Sequence, residues 1–437
     1  MNAYTRHCAY RPGAGAATPP PFPASDPVGE TERRGTPDRL GYFTAAQLGR
    51  LCEVAGIDAW QRTTHQQVLT ELLGPAAALP LDGPPPSPSF VSDDHTPVEF
   101  SLSFPADAAP VLRVLVDPGF AARSLRNNAR TAWAAVGRLA AQWGIGLGEL
   151  TRLSDLFLPP EPHGPLTLWC ALELRPTGPT GVKLYLNPGA RGVERAMETV
   201  AEAMTRLGHA RAFEPVRRYV AARSPERCDF MFFALDVGPW TEPRVKVYVV
   251  HPGATAADAA EAARPVPGAS PERVADLCRL VGGDGTFDRL PLVSCYSFTG
   301  ADTHHPTGHG LHVPVRAYVR DDRAARDRAV RLLRQYGVPT APLDRALAAL
   351  TARPLTAGVG LISYLSLVQA GRQAPRITTY FSSEAYRVLP PRGDTAPQSP
   401  AKARPAKPGS ADSGPADPGP TPPRSTEPGP TASRTTD

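Results

Sequence analysis

The 437-residue sequence predicts an α+β fold in which an antiparallel sheet of about ten strands closes into a barrel with α-helices on its outer side. Two observations predict it. The first is a repeat: residues 112–119 read LRVLVDPG, 182–189 VKLYLNPG and 245–253 VKVYVVHPG, each an alternating strand stopped by Pro-Gly turn chemistry. The second is what lies between the copies. Another strand precedes each one within 20 residues, and helical segments follow, so hairpins and helices alternate along the chain.

The elements run in that order. A helix opens the fold, with Thr44-Ala-Ala-Gln47 read as a capping box. The stretch FVSDDHTPVEFSLSF (90–104) supplies the strand that pairs with LRVLVDPG. Next come ARSLRNNARTAWAAVGRLAAQWG (122–144) as a helix, LTLWCALELRP (166–176) and GVKLYLNPG as a hairpin, and GVERAMETVAEAMTRLG (192–208) as a helix. DFMFFALDVGP (229–239) pairs with RVKVYVVHPG, and DDRAARDRAVRLLRQYG (321–337) is a third helix. These helices carry apolar residues at three-to-four spacing and stop at glycine. Weaker strand echoes are HVPVRAYV (312–319) and PRITTYF (375–381). Hairpins in series leave two edges, and closure removes them.

Composition bounds the rest. Residues 1–38 and the Pro-rich tail 389–437 lack apolar side chains whose burial offsets chain entropy, so both are expected to be disordered around a folded domain at 39–388. No apolar run is long enough to span a bilayer and no secretory leader is visible, which predicts a cytoplasmic protein that does not enter membranes. Six cysteines without a CxxC argue against disulfides and zinc. A net charge of +5 with interspersed acids gives no nucleic-acid footprint.

The chain has only four lysines, and the two outside the tail, Lys183 and Lys246, occupy the same place in V-K-x-Y. In VKLYL the apolar Val182, Leu184 and Leu186 share one face and Lys183 and Tyr185 the other. On one strand alone, Lys and Tyr facing water would be the ordinary reading. Recurrence changes it: Arg113, Lys183 with Tyr185, Arg244 with Lys246 and Tyr248, and Arg376 with Thr378 and Tyr380 repeat the pattern at comparable heights. With the apolar face against the helices, these side chains line the lumen. Arg113, Lys183, Arg244 and Lys246 would repel one another unless an anion sat among them, and a diphosphate fits in charge. Tyrosine faces beside it suit a carbocation. The pattern describes a site that ionises an allylic diphosphate and keeps water from the cation.

PVEFSLSF, LRVLVDP, GVKLYLNP, RVKVYVVHP, HVPVRAY and RITTYF, taken in order, resemble the aromatic prenyltransferases of the dimethylallyltryptophan synthase type, in particular bacterial members, over residues 40–388. The resemblance implies a PT barrel of ten antiparallel strands ringed by helices in αββα repeats. It implies that Arg113, Lys183, Arg244 and Lys246 bind the diphosphate of dimethylallyl diphosphate with Arg376 in support, and that Tyr185, Tyr248 and Tyr380 shield the cation. Glu99 would accept the indole N–H of L-tryptophan or a related indole. The family commonly has Lys or Gln and then Tyr before the PV of the fourth repeat; here those places hold Gly310 and His312, and His312 becomes a donor to phosphate. Fungal relatives carry a lysine for proton removal in the strand before VKxY, where this chain offers Arg175, a poor base because it stays protonated. The resemblance further implies no metal or other cofactor and a monomer or homodimer; bacterial relatives divide among C5, C6, C7 and N1, and C6 is the position expected here. Another indole, a cyclic peptide or a phenol is the alternative acceptor.

Three motifs point elsewhere. VGGDGTFDR (281–289) matches the GGDGT phosphate loop of lipid and NAD kinases, but a helix precedes it and a strand follows, the reverse of what such a loop needs. His304, His305, His309 and His312 fit no metal spacing. Asp321-Asp322 suits a helix start and lacks the DDxxD spacing for magnesium diphosphate. A barrel that binds small molecules without turnover is the non-enzymatic alternative, against which Lys183, Lys246 and Glu99 argue.

Overall fold

The computed structural model describes residues 39–105, 108–371 and 373–393; segment 1–38 and the chain beyond 393 lie outside the described residues. The ten strands are β1 (Val98–Phe104), β2 (Val111–Val116), β3 (Leu168–Leu174), β4 (Gly181–Leu186), β5 (Asp229–Val237), β6 (Val245–His251), β7 (Leu292–Phe298), β8 (Gly308–Val313), β9 (Ile362–Ala370) and β10 (Arg376–Ser382). Each pairs antiparallel with its sequence neighbours, and β10 returns to β1, so the barrel is closed. The outward row of β4, Val182, Leu184 and Leu186, is fully buried against the surrounding helices. The alternation read from the sequence therefore decides which residues point in.

Local chemistry sets the helix ends. Ser124 caps Leu125–Trp143 by accepting from the Asn127 N–H, and Gly144 closes it in the left-handed region at φ 65°. Asp321 caps Asp322–Gln335 in the same way through the Ala324 N–H. The turn chemistry of the repeat also has a cause: the Asp117 and Asn187 side chains accept from the Gly119 and Gly189 N–H at 3.2 and 2.9 Å, an Asx turn at the end of β2 and of β4. In the third copy His251 instead lies 2.9 Å from Ser294 Oγ.

Three expectations are corrected. The first helix starts at Leu40, and Thr44 lies inside it with its hydroxyl on the Leu40 carbonyl; Gln47 is buried and donates to Leu350 O and Ser383 O rather than capping. HVPVRAYV is not a strand: β8 ends at Val313, because Pro314 cannot donate to the ladder, and Val315–Ala317 turns as a 3₁₀ helix. Packing also continues past residue 388, where Val359 N–H donates to Leu389 O and Arg392 N–H to Arg320 O.

VGGDGTFDR connects the helix Pro271–Gly282 to β7, the order opposite to a phosphate loop. His304 and His305 sit in a loop tied to Asp302, whereas His309 and His312 point to opposite faces of β8. Among the described residues no group of three or more His, Cys, Asp or Glu is placed to hold a metal, and no helix is long and apolar enough to cross a membrane. Cys52, Cys170, Cys228, Cys278 and Cys295 are free and buried; Cys8 lies outside the described residues.

Candidate active site

One lumenal cavity collects Glu99, Arg113, Lys183, Tyr185, Lys246, Tyr248, His312, Arg376 and Tyr380. Because neighbouring strands run antiparallel, the starts of β2, β4, β6, β8 and β10 share one barrel end with the finishes of the odd-numbered strands. Arg113, Lys183, Lys246 and Arg376 lie near that end, and Tyr185 and Tyr248 lie two residues further in than their lysines, about 7 Å along the strand. Glu99, at the start of β1, belongs to the opposite end. The order through the lumen is cations, aromatic rings, carboxyl group.

The cation end holds two carboxylates that the sequence reading missed. Glu173 sits directly across from Arg113 and accepts from its Nε at 2.7 Å and from Arg175. Asp236 sits directly across from Lys183, forms an ion pair with it and takes the Arg244 Nε at 2.7 Å. The cluster is thus not the self-repelling set expected, since half of its charge is compensated within the protein. Burial alone would raise the Glu173 pKa, but Arg113 and Arg175 hold it well below the usual carboxylate range. Burial lowers the Lys183 pKa, and Lys246 and Arg244 add to this. Lys246 has no carboxylate partner among the described residues, and burial brings its pKa down to about 7. Arg376 is lowered to about 10 by burial, with Arg113 and Arg244 adding to the effect.

Arg244, expected in the lumen, lies at the rim, with Arg175 beside it. Arg244 precedes β6 and Arg175 follows β3, with 42% of the Arg175 side chain exposed. Both stand under Trp240, whose ring centre is 4.9 Å from the Arg244 guanidinium, 6.0 Å from that of Arg175 and 5.4 Å from Lys183 Nζ. Trp240 is fixed by its indole N–H on Val182 O and Val237 O, both at 3.0 Å. A Cβ at Gly181 would come within 2.4 Å of the ring, so the glycine opening GVKLYLNPG makes room for this cover.

The aromatic band is continuous. Trp169 meets Phe232 at 5.4 Å, Phe232 meets both Tyr185 at 5.9 Å and Tyr248 at 5.8 Å, and Tyr380 reaches Tyr364 at 6.3 Å. His312 bridges the gap, 5.9 Å from Tyr248 and 5.4 Å from Tyr380. Burial, with Lys246 nearby, pushes its pKa down to about 3, so it stands in the band as a neutral ring, which keeps one N–H to donate. Burial also raises the phenols, Tyr185 to about 12 and Tyr248 and Tyr380 higher. Protonated rings of this kind are weak nucleophiles.

At the far end Glu99 accepts from the Ser363 hydroxyl at 3.1 Å, and burial pushes its pKa up to about 8. Ser363 O in turn accepts from Arg316, whose guanidinium stacks 4.6 Å from the Tyr364 ring and pairs with Asp93 at 3.0 Å.

A family model described as tryptophan dimethylallyltransferase matches residues 43–342. The chain belongs to this family. It is a prenyltransferase with the PT-barrel fold. Among solved structures it is similar to the prenyltransferase PriB, in a binary complex with product diphosphate, at 50% identity over 82% of this chain and 100% of that chain, with a TM-score of 0.77. It is also similar to 5-dimethylallyltryptophan synthase from Streptomyces coelicolor, at 48% identity over 81% of this chain and 100% of that one, TM-score 0.75. For 6-dimethylallyltryptophan synthase from Micromonospora olivasterospora, solved with DMASPP and Trp, the values are 38%, 81%, 99% and 0.76.

The carboxylates make this family member's cation end sensitive. Removing one partner of a buried ion pair leaves an uncompensated charge, at a cost of about 3–5 kcal/mol. Asp236→Asn is therefore expected to lower stability by about 3 kcal/mol in urea or thermal denaturation. A change below about 0.5 kcal/mol would show that the pair contributes nothing net.

Proposed function

We propose that the protein transfers a dimethylallyl group from dimethylallyl diphosphate to the indole ring of L-tryptophan, without a metal ion, and attaches it at C6. The observation that carries this reading is the order of the lumen: cations at one end, a continuous aromatic band, then one buried carboxyl group. Solved relatives support both substrates, since PriB has been captured with L-tryptophan and dimethylallyl thiolodiphosphate.

In the proposed reaction the allylic C–O bond breaks and its electron pair leaves with the diphosphate. Arg113, Lys183, Lys246 and Arg376 receive the developing charge, with Arg244 at the rim, so fixed side chains do the work that magnesium does in other diphosphate ionisations. The cation lies among Tyr185, Tyr248, His312 and Tyr380, whose faces stabilise it and exclude water. Glu99, as the carboxylate, accepts the indole N–H and enriches the ring, which attacks to form the new C–C bond and then gives its ring proton to the departed diphosphate, to water or, through a relay, to Glu99. The buried free thiols suit the cytoplasm, where we place the protein.

Incubation with L-tryptophan, dimethylallyl diphosphate and EDTA, read by mass spectrometry and NMR, tests all of this. The expected product is 6-dimethylallyltryptophan. Activity that appears only with added magnesium would overturn the metal-free mechanism, product at C5 would overturn the regiochemistry, and no product under either condition would overturn the function.

A further inference from the structure

At the Glu99 end of the barrel a second cavity of about 700 Å³ lies between the segment ahead of β1 and the loops at the ends of β2 and β4. The free space left within the lumen is about 50 Å³. Phe90 belongs to both compartments: it lines the larger cavity and packs against the buried cluster that includes Trp169 and against the one that includes Tyr248 and Cys295. The residues beside it are pinned. The Ser89 hydroxyl donates to Asp117 Oδ2 at 3.2 Å, the Ser89 carbonyl lies 3.0 Å from His95 Nδ1, and Val91 is buried.

We propose that Phe90 partitions the reaction lumen from this cavity and thereby sets the size of acceptor the enzyme takes, the cavity being a compartment for a peptide extension of the tryptophan. The inference rests on the tryptophan-prenylating function proposed above. A volume of this size lies in the range that holds small organic ligands, about 300–1,000 Å³. Its walls suit a peptide: Phe90, Phe120 and Val193 are apolar, and Asn128 and Arg191 are polar. The Arg191 Nε–H is buried without an acceptor among the described residues, while its Nη2 donates to Thr199 at 3.1 Å. With the phenyl ring in place an acceptor must end near Glu99; without it the chain can continue outward.

The test compares kcat/KM for L-tryptophan and for L-tryptophylglycine, with dimethylallyl diphosphate saturating, in the wild-type protein, Phe90→Ala, Phe90→Leu and the double variant Phe90→Ala with Val193→Trp. Phe90→Ala is expected to raise the dipeptide-to-tryptophan ratio about tenfold or more, Phe90→Leu by less, and the added tryptophan to cancel the gain by refilling the cavity. A wild-type protein that does not prenylate L-tryptophan sinks the function itself. A wild type that does, beside a Phe90→Ala ratio within about twofold of it, sinks the partition alone. If Phe90→Ala shows no cooperative melting, Phe90→Leu decides, and an unchanged ratio there overturns the proposal.

Discussion

Glu99→Gln is expected to lower turnover of L-tryptophan about 100-fold, within the range set by losing a charge-assisted hydrogen bond and a positioned carboxylate, while the Kd for inorganic diphosphate moves less than about twofold. The separation follows from the lumen's order, because the aromatic band stands between Glu99 and the cations. Burial raises the Glu99 pKa to about 8, so at pH 7 only about a tenth of the molecules carry the carboxylate that accepts an indole N–H. With the donor saturating, kcat/KM for L-tryptophan should therefore rise about tenfold per pH unit up to a plateau above about 8. Glutamine does not titrate, so the variant's profile should lose this limb. Equal losses in turnover and diphosphate affinity would refute the acceptor role.

Lys246→Met should lower kcat/KM for dimethylallyl diphosphate about 300-fold, in line with removal of one preorganised group that stabilises a leaving anion. Of the two lumenal lysines Lys246 lacks a carboxylate partner among the described residues, so an incoming anion displaces none of them from it. Its pKa of about 7 reverses the pH sign relative to Glu99. The ammonium is present below pH 7 and lost above it, and donor capture should weaken as pH rises. Diphosphate favours the charged form, so its binding at pH 8 should draw in close to one proton, read by calorimetry in buffers of different ionisation enthalpy. Lys246→Met should abolish that uptake. Uptake that persists undiminished in the variant would assign the proton elsewhere.

The inward row of the barrel was legible because its residues contrast with their neighbours: Lys183 and Tyr185 interrupt an apolar strand, and the same contrast recurs on three others. Glu173 and Asp236 show the contrast, between Leu172 and Leu174 and between Leu235 and Val237, but lie outside the repeated V-K-x-Y pattern. Each sits near a strand end, where a charge ordinarily meets solvent, and only the register that sets Arg113 against Glu173 and Lys183 against Asp236 gives them a role. Register depends on pairing across about 60 residues of sequence and leaves no local trace. Trp240, Phe90 and Tyr364 lie outside the repeats. Arg244 was misplaced for a related reason, since alternation says which way a side chain points and not where the ladder ends. His312 was read through the tyrosine it replaces, and only its two ring neighbours showed that an imidazole completes the band.

The seam that closes the barrel joins β1 to β10, with Glu99 beside Ser382. Every other strand meets a partner made shortly before it on the ribosome, but β1, though it pairs with β2 at once, must wait for its second partner, β10, until nearly the whole domain is synthesised. Until then β1 and the newest strand present open edges, the templates on which chains associate wrongly. Truncation ahead of Arg376 would remove Tyr380 and also leave a sheet that cannot close, so nonsense products of this gene should be recovered as aggregates rather than as weakly active enzyme. The same seam places Glu99 and Tyr380 on adjoining strands, so the acceptor end of the site comes into being only at the last step of folding.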